Sequence, residues 1–257
     1  IIEGADWYLE IGALTELVAL SKEPKALLFD SIKGYPKGFR IATCLYASDT
    51  LQSLALGLPI SASPIDKVKI IKDIIKRRPR VKPKEVSDGP ILENVVKDDK
   101  VNVLKFPAPY WREGDGGRYI GTGDCVIMRD PEENWVNMGV YRVMVVDEKT
   151  LAMYIVPGHH GLIIARKYWS KDKEAPIAIV LGQEPALFFA SAAPLPWGYS
   201  ELEFAGGVKD TPIDVIIDDE TGLPIPATAE AVVLGYVLPP EKITVEEGPF
   251  GECTGYF

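Results

Sequence analysis

Apolar residues fall first at helical spacing and later in short continuous runs, and that change divides the chain. Leu14, Leu17, Val18 and Leu20 predict a helix over 11–22. ALLFD at 26–30 and RIATCLY at 40–46 predict strands, with the turn-rich KGYPKGF at 33–39 between them. Ser48 and Asp49 can cap a helix through Leu56, which Gly57 and Pro59 stop. Ser63-Pro64 opens a further helix with Ile65, Val68, Ile71, Ile74 and Ile75 on one face, ended by Pro79. These elements predict a small α/β unit over 1–90, closed by a connection rich in Pro and charge at 79–90.

Beyond it the runs shorten. VNVLKF, GDCVIM, WVNMGVYRVMVV, LAMYIV, IAIVLG, ALFFASAA, IDVIID and AVVLGYVL are of β type, separated by Gly, Pro and Asp. Helical spacing shows at 161–171 and near 185–192, the latter overlapping ALFFASAA. The expected class is α+β, with a barrel or sandwich over 91–257.

Composition adds limits. At 257 residues and 47% hydrophobic, the chain can bury a substantial core. A net charge of −9 argues against non-specific nucleic-acid binding, and the basic KRRPRVKPK at 76–84 reads as a solvated linker. Cys44, Cys125 and Cys253 form no close pair, which suits a reducing, cytoplasmic setting. No apolar run reaches membrane-spanning length. The first residue is not Met, so the expectation is a chain that begins within a longer protein.

Two groups of residues carry candidate chemistry. In NWVNMGVYR, Asn137 is a poor strand former, and Arg142 is a charge beside a hydrophobic run. Arg142 must therefore be paired, face a polar cavity, or end the strand in solvent. The two lie five positions apart, on opposite faces of a regular strand, so serving one site requires a bend or bulge, expected at Gly139. Asn137, His160 and Glu201 offer an amide oxygen, an imidazole and a carboxylate, a donor set for Mn²⁺ or Mg²⁺. By spacing alone, adjacent His159 and His160 read as a surface pair more readily than as ligands. EGPFGE sets Glu247 and Glu252 on either side of a Gly-Pro-Phe-Gly turn. Two neighbouring carboxylates can hold one proton, with an Arg keeping the other ionised. The same residues also read as a surface turn with two solvated acids.

The order and spacing of the blocks LEIGALTELVAL, ALLFDSIKGYP, WVNMGVYR, VPGHHG, IAIVLGQEP, ASAAPLPWGYSELEFAGG, GLPIPATAEAVVLGYV and EGPFGECTGYF resemble the UbiD family of reversible decarboxylases. The resemblance implies a split β-barrel, like that of FMN reductases, after the N-terminal unit. It implies prenylated FMN as cofactor, with Mn²⁺ (or Mg²⁺) and K⁺ bridging its phosphate. By position, Asn137, His160 and Glu201 match the metal ligands, with Glu203 as the alternative to Glu201. Asn137, Met138, Gly139, Val140, Tyr141 and Arg142, with His159 and His160, match the cofactor cradle. Ser191 matches a small residue near phosphate and K⁺. Arg142, Glu247 and Glu252 match the Glu-Arg-Glu network, with Glu252 as proton donor. The substrate would be an aromatic, heteroaromatic or α,β-unsaturated acid that loses or gains CO₂. A flavin prenyltransferase would supply the cofactor. The family continues past GYF into an oligomerisation domain, whereas this chain stops at Phe257. The expectation is therefore a fragment, split subunit or proteolysed product that forms an oligomer or a complex with the remaining part. A flavin-binding subunit without activity of its own is the alternative.

Overall fold

The computed structural model describes residues 1–242 and 245–252. In chain order the elements are β1 (Ile2–Glu3), α1 (Glu10–Ala19), β2 (Leu27–Asp30), β3 (Ile41–Thr43), α2 (Asp49–Leu56), α3 (Pro64–Arg77) and β4 (Lys84–Glu85). Then follow β5 (Arg118–Gly121), β6 (Cys125–Arg129), β7 (Val136–Gly139), β8 (Val143–Val145), β9 (Leu151–Met153), α4 (His160–Trp169), β10 (Ala175–Leu181), α5 (Pro185–Ala192), α6 (Glu201–Lys209), β11 (Asp214–Ile217), β12 (Pro224–Pro226) and β13 (Ala231–Val237). The fold is α+β, as expected.

The N-terminal unit carries the sheet β1-β2-β3. Ser48 and Ser63 cap α2 and α3 by accepting from Leu51 N–H and Asp66 N–H, and Gly57 closes α2 in the left-handed region. The buried faces differ from those expected. In α1 the buried residues are Ile11 and Gly12, while Leu17 and Leu20 are exposed. Gly12 is required there, because a Cβ would lie 1.8 Å from the Trp111 carbonyl oxygen. In α3, Ile74 and Ile75 reach the core, Ile65 and Val68 face solvent, and Lys67 is buried, its ammonium donating to Asp49 and the Ile60 carbonyl.

The connection at 79–90 is strapped down rather than solvated throughout. Val81 N–H donates to Glu203 O at 3.0 Å, Arg80 stacks on Tyr199, and β4 pairs in parallel with β11.

Two antiparallel sheets, β13-β10-β6-β7 and β5-β8-β9, form the split barrel. The strands β6 and β10 are covered on both faces, which explains their continuous apolar runs. Cys125, Ile127, Ala178 and Val180 face α5 and α6, while Val126, Met128, Ile177 and Ile179 lie in the core with Ile164 of α4. WVNMGVYRVMVV is not one strand. It is β7, a corner at 140–142, and β8 in the other sheet. ALFFASAA is helix, opened by Pro185, with Ala186, Leu187 and Ala190 buried and Phe188 and Phe189 partly covered. VNVLKF is a 3₁₀ turn at Val103–Lys105, where the Asn102 side chain accepts from Leu104 N–H.

Candidate active site

The corner between the two sheets organises the candidate residues. The strand β7 ends at Gly139, where a Cβ would meet the Tyr141 hydroxyl at 2.7 Å. The expected break at Gly139 is thus a complete change of sheet, and it lets Asn137 and Arg142 serve different neighbours.

On the β7 side Asn137 is buried against the start of α6. Its Nδ2 donates to Glu201 Oε1 at 3.1 Å, and Met138 N–H donates to Glu201 Oε2 at 2.8 Å. Asn137 Oδ1 is buried with no hydrogen-bond partner among the described residues. Burial pushes the Glu201 carboxyl up to about 7, opposed by those N–H donors, and no cationic side chain pairs with it among the described residues. Glu203 points elsewhere, 3.8 Å from Arg80 Nη1, as expected for residues two apart on a helix. Of the two glutamates, Glu201 is the one that touches Asn137.

His160 opens α4. Its ring stands edge-on to Trp135 and Trp197, with centroids at 5.7 and 5.3 Å. Burial, then neighbouring His159, hold its pKa below the usual value, which favours the neutral form that binds metals. Trp135 immediately precedes β7 and Trp197 lies shortly before α6, so these rings link His160 to the elements bearing Asn137 and Glu201. His159 is exposed, its ring 6.2 Å from Tyr141. Tyr141 Oη accepts from Gly161 N–H at 3.3 Å, which ties the corner to α4. Met138 is core, and Val140 is half-buried in the corner. Ser191 stands apart from these residues: its hydroxyl donates to Leu187 O at 2.8 Å and lies 2.9 Å from Cys125 Sγ.

On the far side of the corner, Arg142 Nε and Nη2 donate to the two oxygens of Glu247 at 2.7 and 2.9 Å. The bidentate pair holds the guanidinium above its ordinary pKa. Glu252 Oε1 lies 4.0 Å from Arg142 Nη1, and its side chain is 56% exposed. Residues from 105 positions away thus converge on Arg142. Sequence reading missed Tyr119. It is buried on β5, donates to Glu247 Oε1 at 2.8 Å, and meets the Phe250 ring edge-on at 4.5 Å. Its phenol is pushed well above the usual range, chiefly by burial and then by Glu247. The alternation in RYIG was the available signal, since it turns Tyr119 inward. Cys253 and the rest of CTGYF lie outside the described residues.

The donor set was tested for fit to a cation. Among the described residues no three His, Cys, Asp or Glu side chains form a metal cluster. The pair Asn137 and Glu201 nevertheless supplies an orphaned amide oxygen beside a buried carboxylate without counter-charge. Both features fit a hard cation. The exposed aromatic and apolar rim at Tyr154 and Val156, beside Arg142, offers a face for a planar group.

The 3-octaprenyl-4-hydroxybenzoate carboxy-lyase Rift-related domain (UbiD) matches residues 83–257, and the N-terminal domain of the same carboxy-lyase matches residues 1–77. The chain is 36% identical over 260 residues to pyrrole-2-carboxylic acid decarboxylase of Pseudomonas aeruginosa, covering 98% of this chain and 51% of that protein. It is 31% identical to ferulic acid decarboxylase 1 of Saccharomyces cerevisiae, covering 100% of this chain and 52% of that protein. Among solved structures, the closed form of Sedimentibacter hydroxybenzoicus vanillic acid decarboxylase superposes with a TM-score of 0.89 at 30% identity, over 98% of this chain and 54% of that one. The UbiD-class enzyme HmfF of Pelotomaculum thermopropionicum, in complex with FMN, gives 0.86 at 27% identity, over 100% and 55%. An evolved dimeric form of the same enzyme, in complex with prFMN, also gives 0.86 at 27% identity, over 98% and 56%. The chain spans about half the length of the curated relatives it matches.

Proposed function

The chain belongs to the UbiD family, and we propose that it is the prenylated-FMN-binding part of a carboxy-lyase acting on aromatic, heteroaromatic or α,β-unsaturated acids. The observation that supports this most is the convergence of Arg142, Glu247 and Glu252 one short corner away from Asn137 and Glu201.

In this reading Asn137, Glu201 and His160 would hold Mn²⁺ or Mg²⁺, which with K⁺ would supply positive charge for the cofactor phosphate, and Ser191 would serve the same phosphate although its hydroxyl is engaged with Leu187 O here. When bound, the prenylated flavin supplies the electron sink for breaking the C–CO₂ bond. Arg142 is fixed by Glu247, and Tyr119 fills a further lone pair of that carboxylate. Glu247 is thereby committed as an acceptor. Glu252, held only loosely by Arg142, is the group free to carry a proton. It gives that proton to the carbon that loses CO₂, so the acid anion and one proton become the decarboxylated product and CO₂. Its exposure lets water reprotonate it. In the carboxylation direction Glu252 takes the proton back.

The reading also includes the two-unit division at 1–90 and 91–257, an oligomer, a flavin prenyltransferase as cofactor source, and a cytoplasmic location. No helix among the described residues is long and apolar enough to cross a membrane.

The test is to load the chain with prenylated FMN, Mn²⁺ and K⁺ and measure CO₂ release from a panel of such acids. Glu252→Gln is expected to lower turnover by at least about 100-fold while the flavin stays bound. Full turnover by that variant would remove Glu252 from the proposed role. A second reading is a flavin-binding subunit active only with a partner. It predicts flavin binding without turnover until the remaining half of the enzyme is added.

A further inference from the structure

The segment Arg112–Gly117 has no part in the reading above, yet it grips the loop that joins the two glutamates. Asp115 is 4% exposed, and its Oδ1 accepts from Gly251 N–H at 2.8 Å. Its Oδ2 accepts from Arg112 N–H at 2.9 Å. Arg112 Nη1 in turn donates to the Gly251 carbonyl. Both backbone polar groups of the residue directly before Glu252 are therefore held by this one segment.

Two residues earlier, Gly116 N–H donates to Pro249 O at 2.7 Å. Gly116 also lies flat on Gly248, where a Cβ would stand 2.0 Å from its carbonyl oxygen. Only glycine allows that approach. Arg112 is braced from the N-terminal unit, with Nε 3.2 Å from Glu16 of α1. Among the described residues, the Glu252 side chain itself has only the 4.0 Å approach to Arg142. Its location is set by its backbone, and that backbone is held by Asp115 together with Arg112 and Gly116.

We propose that Asp115 is a positioning residue that sets the reach of the Glu252 carboxyl toward the reacting carbon. The inference rests on the assignment of Glu252 as proton donor. A proton donor must sit within hydrogen-bond reach of its target, and a displacement of about 1 Å can cost roughly 100-fold in rate.

In the full chain loaded with prenylated FMN and Mn²⁺, Asp115→Ala should lower kcat about 100-fold. KM for the acid and flavin occupancy should stay unchanged. The solvent-deuterium effect on kcat should grow, because proton delivery becomes limiting. Asp115→Asn keeps an oxygen for the Gly251 N–H and should restore most of the rate. A wild-type kcat in Asp115→Ala overturns the proposal. So does a joint loss of kcat and flavin occupancy that Asp115→Asn fails to repair.

An activity-free measurement stands beside these. In the flavin-free chain, amide hydrogen exchange of the peptide 247–252 should accelerate in Asp115→Ala while β10 stays protected. Unchanged exchange there overturns the clasp. A wild-type chain that shows no turnover even with the remaining half of the enzyme added counts against the carboxy-lyase reading instead, and the exchange result then decides the clasp alone.

Discussion

Glu201 and Glu247 are both buried carboxylates beside the same corner, yet they solve burial in opposite ways. Glu247 brings its own cation: its side chain is 7% exposed and takes two N–H bonds from Arg142 and an O–H bond from Tyr119. Glu201, 3% exposed, has among the described residues the Asn137 amide, the Met138 N–H and its own backbone N–H for company, and no cation. A buried charge without a partner is costly, and the usual response is to keep the proton. The first arrangement is complete within the chain, whereas the second calls for a cation from outside.

Substitutions should therefore act with opposite signs at the two sites. The largest effect is expected for Arg142→Met, which strands Glu247. It should cost about 3 kcal/mol in a urea titration and abolish turnover. Next comes Glu201→Gln in the metal-free chain. The folded state holds the Glu201 proton up to about pH 7, against 4.5 for an unperturbed Glu, so raising the pH across that window removes stability, about 3 kcal/mol in all. Gln carries no charge, keeps an oxygen for the Met138 N–H, and donates to Asn137 Oδ1 once the Asn137 amide turns over. Glu201→Gln should thus stabilise the metal-free chain by about 2 kcal/mol at pH 8 and by little at pH 4. Saturating Mn²⁺ should reverse the order, stabilising the wild type and not the variant. Loss of stability in Glu201→Gln at pH 8 would end the contrast. The smallest effect is Tyr119→Phe, about 1 kcal/mol by thermal unfolding, because Glu247 keeps both Arg142 bonds.

Much of this was legible in the chain. Asn137 and Arg142 stand out as the wrong residue types for a strand, and their odd spacing demands a break, which falls at Gly139. The turn chemistry of EGPFGE already brings two acids together. What periodicity could not give was partnership across long separations. Nothing local tells that Tyr119 meets Glu247, that Lys67 is buried while Val68 is exposed, or that VNVLKF turns instead of pairing. ALFFASAA shows the general ambiguity: a largely covered helix and a buried strand both read as apolar runs, and only Pro185 at its start favours the helix.

The corner at 140–142 has a consequence for how this architecture can vary. One short stretch carries the anchor for the proposed ion at one end and the guanidinium beside the acid pair at the other. A single inserted or deleted residue there would throw both out of alignment together. Diversification of the chemistry is consequently channelled to side chains on the rim, where exchanges such as those at Tyr154 or Val156 leave the spacing of the two anchors intact.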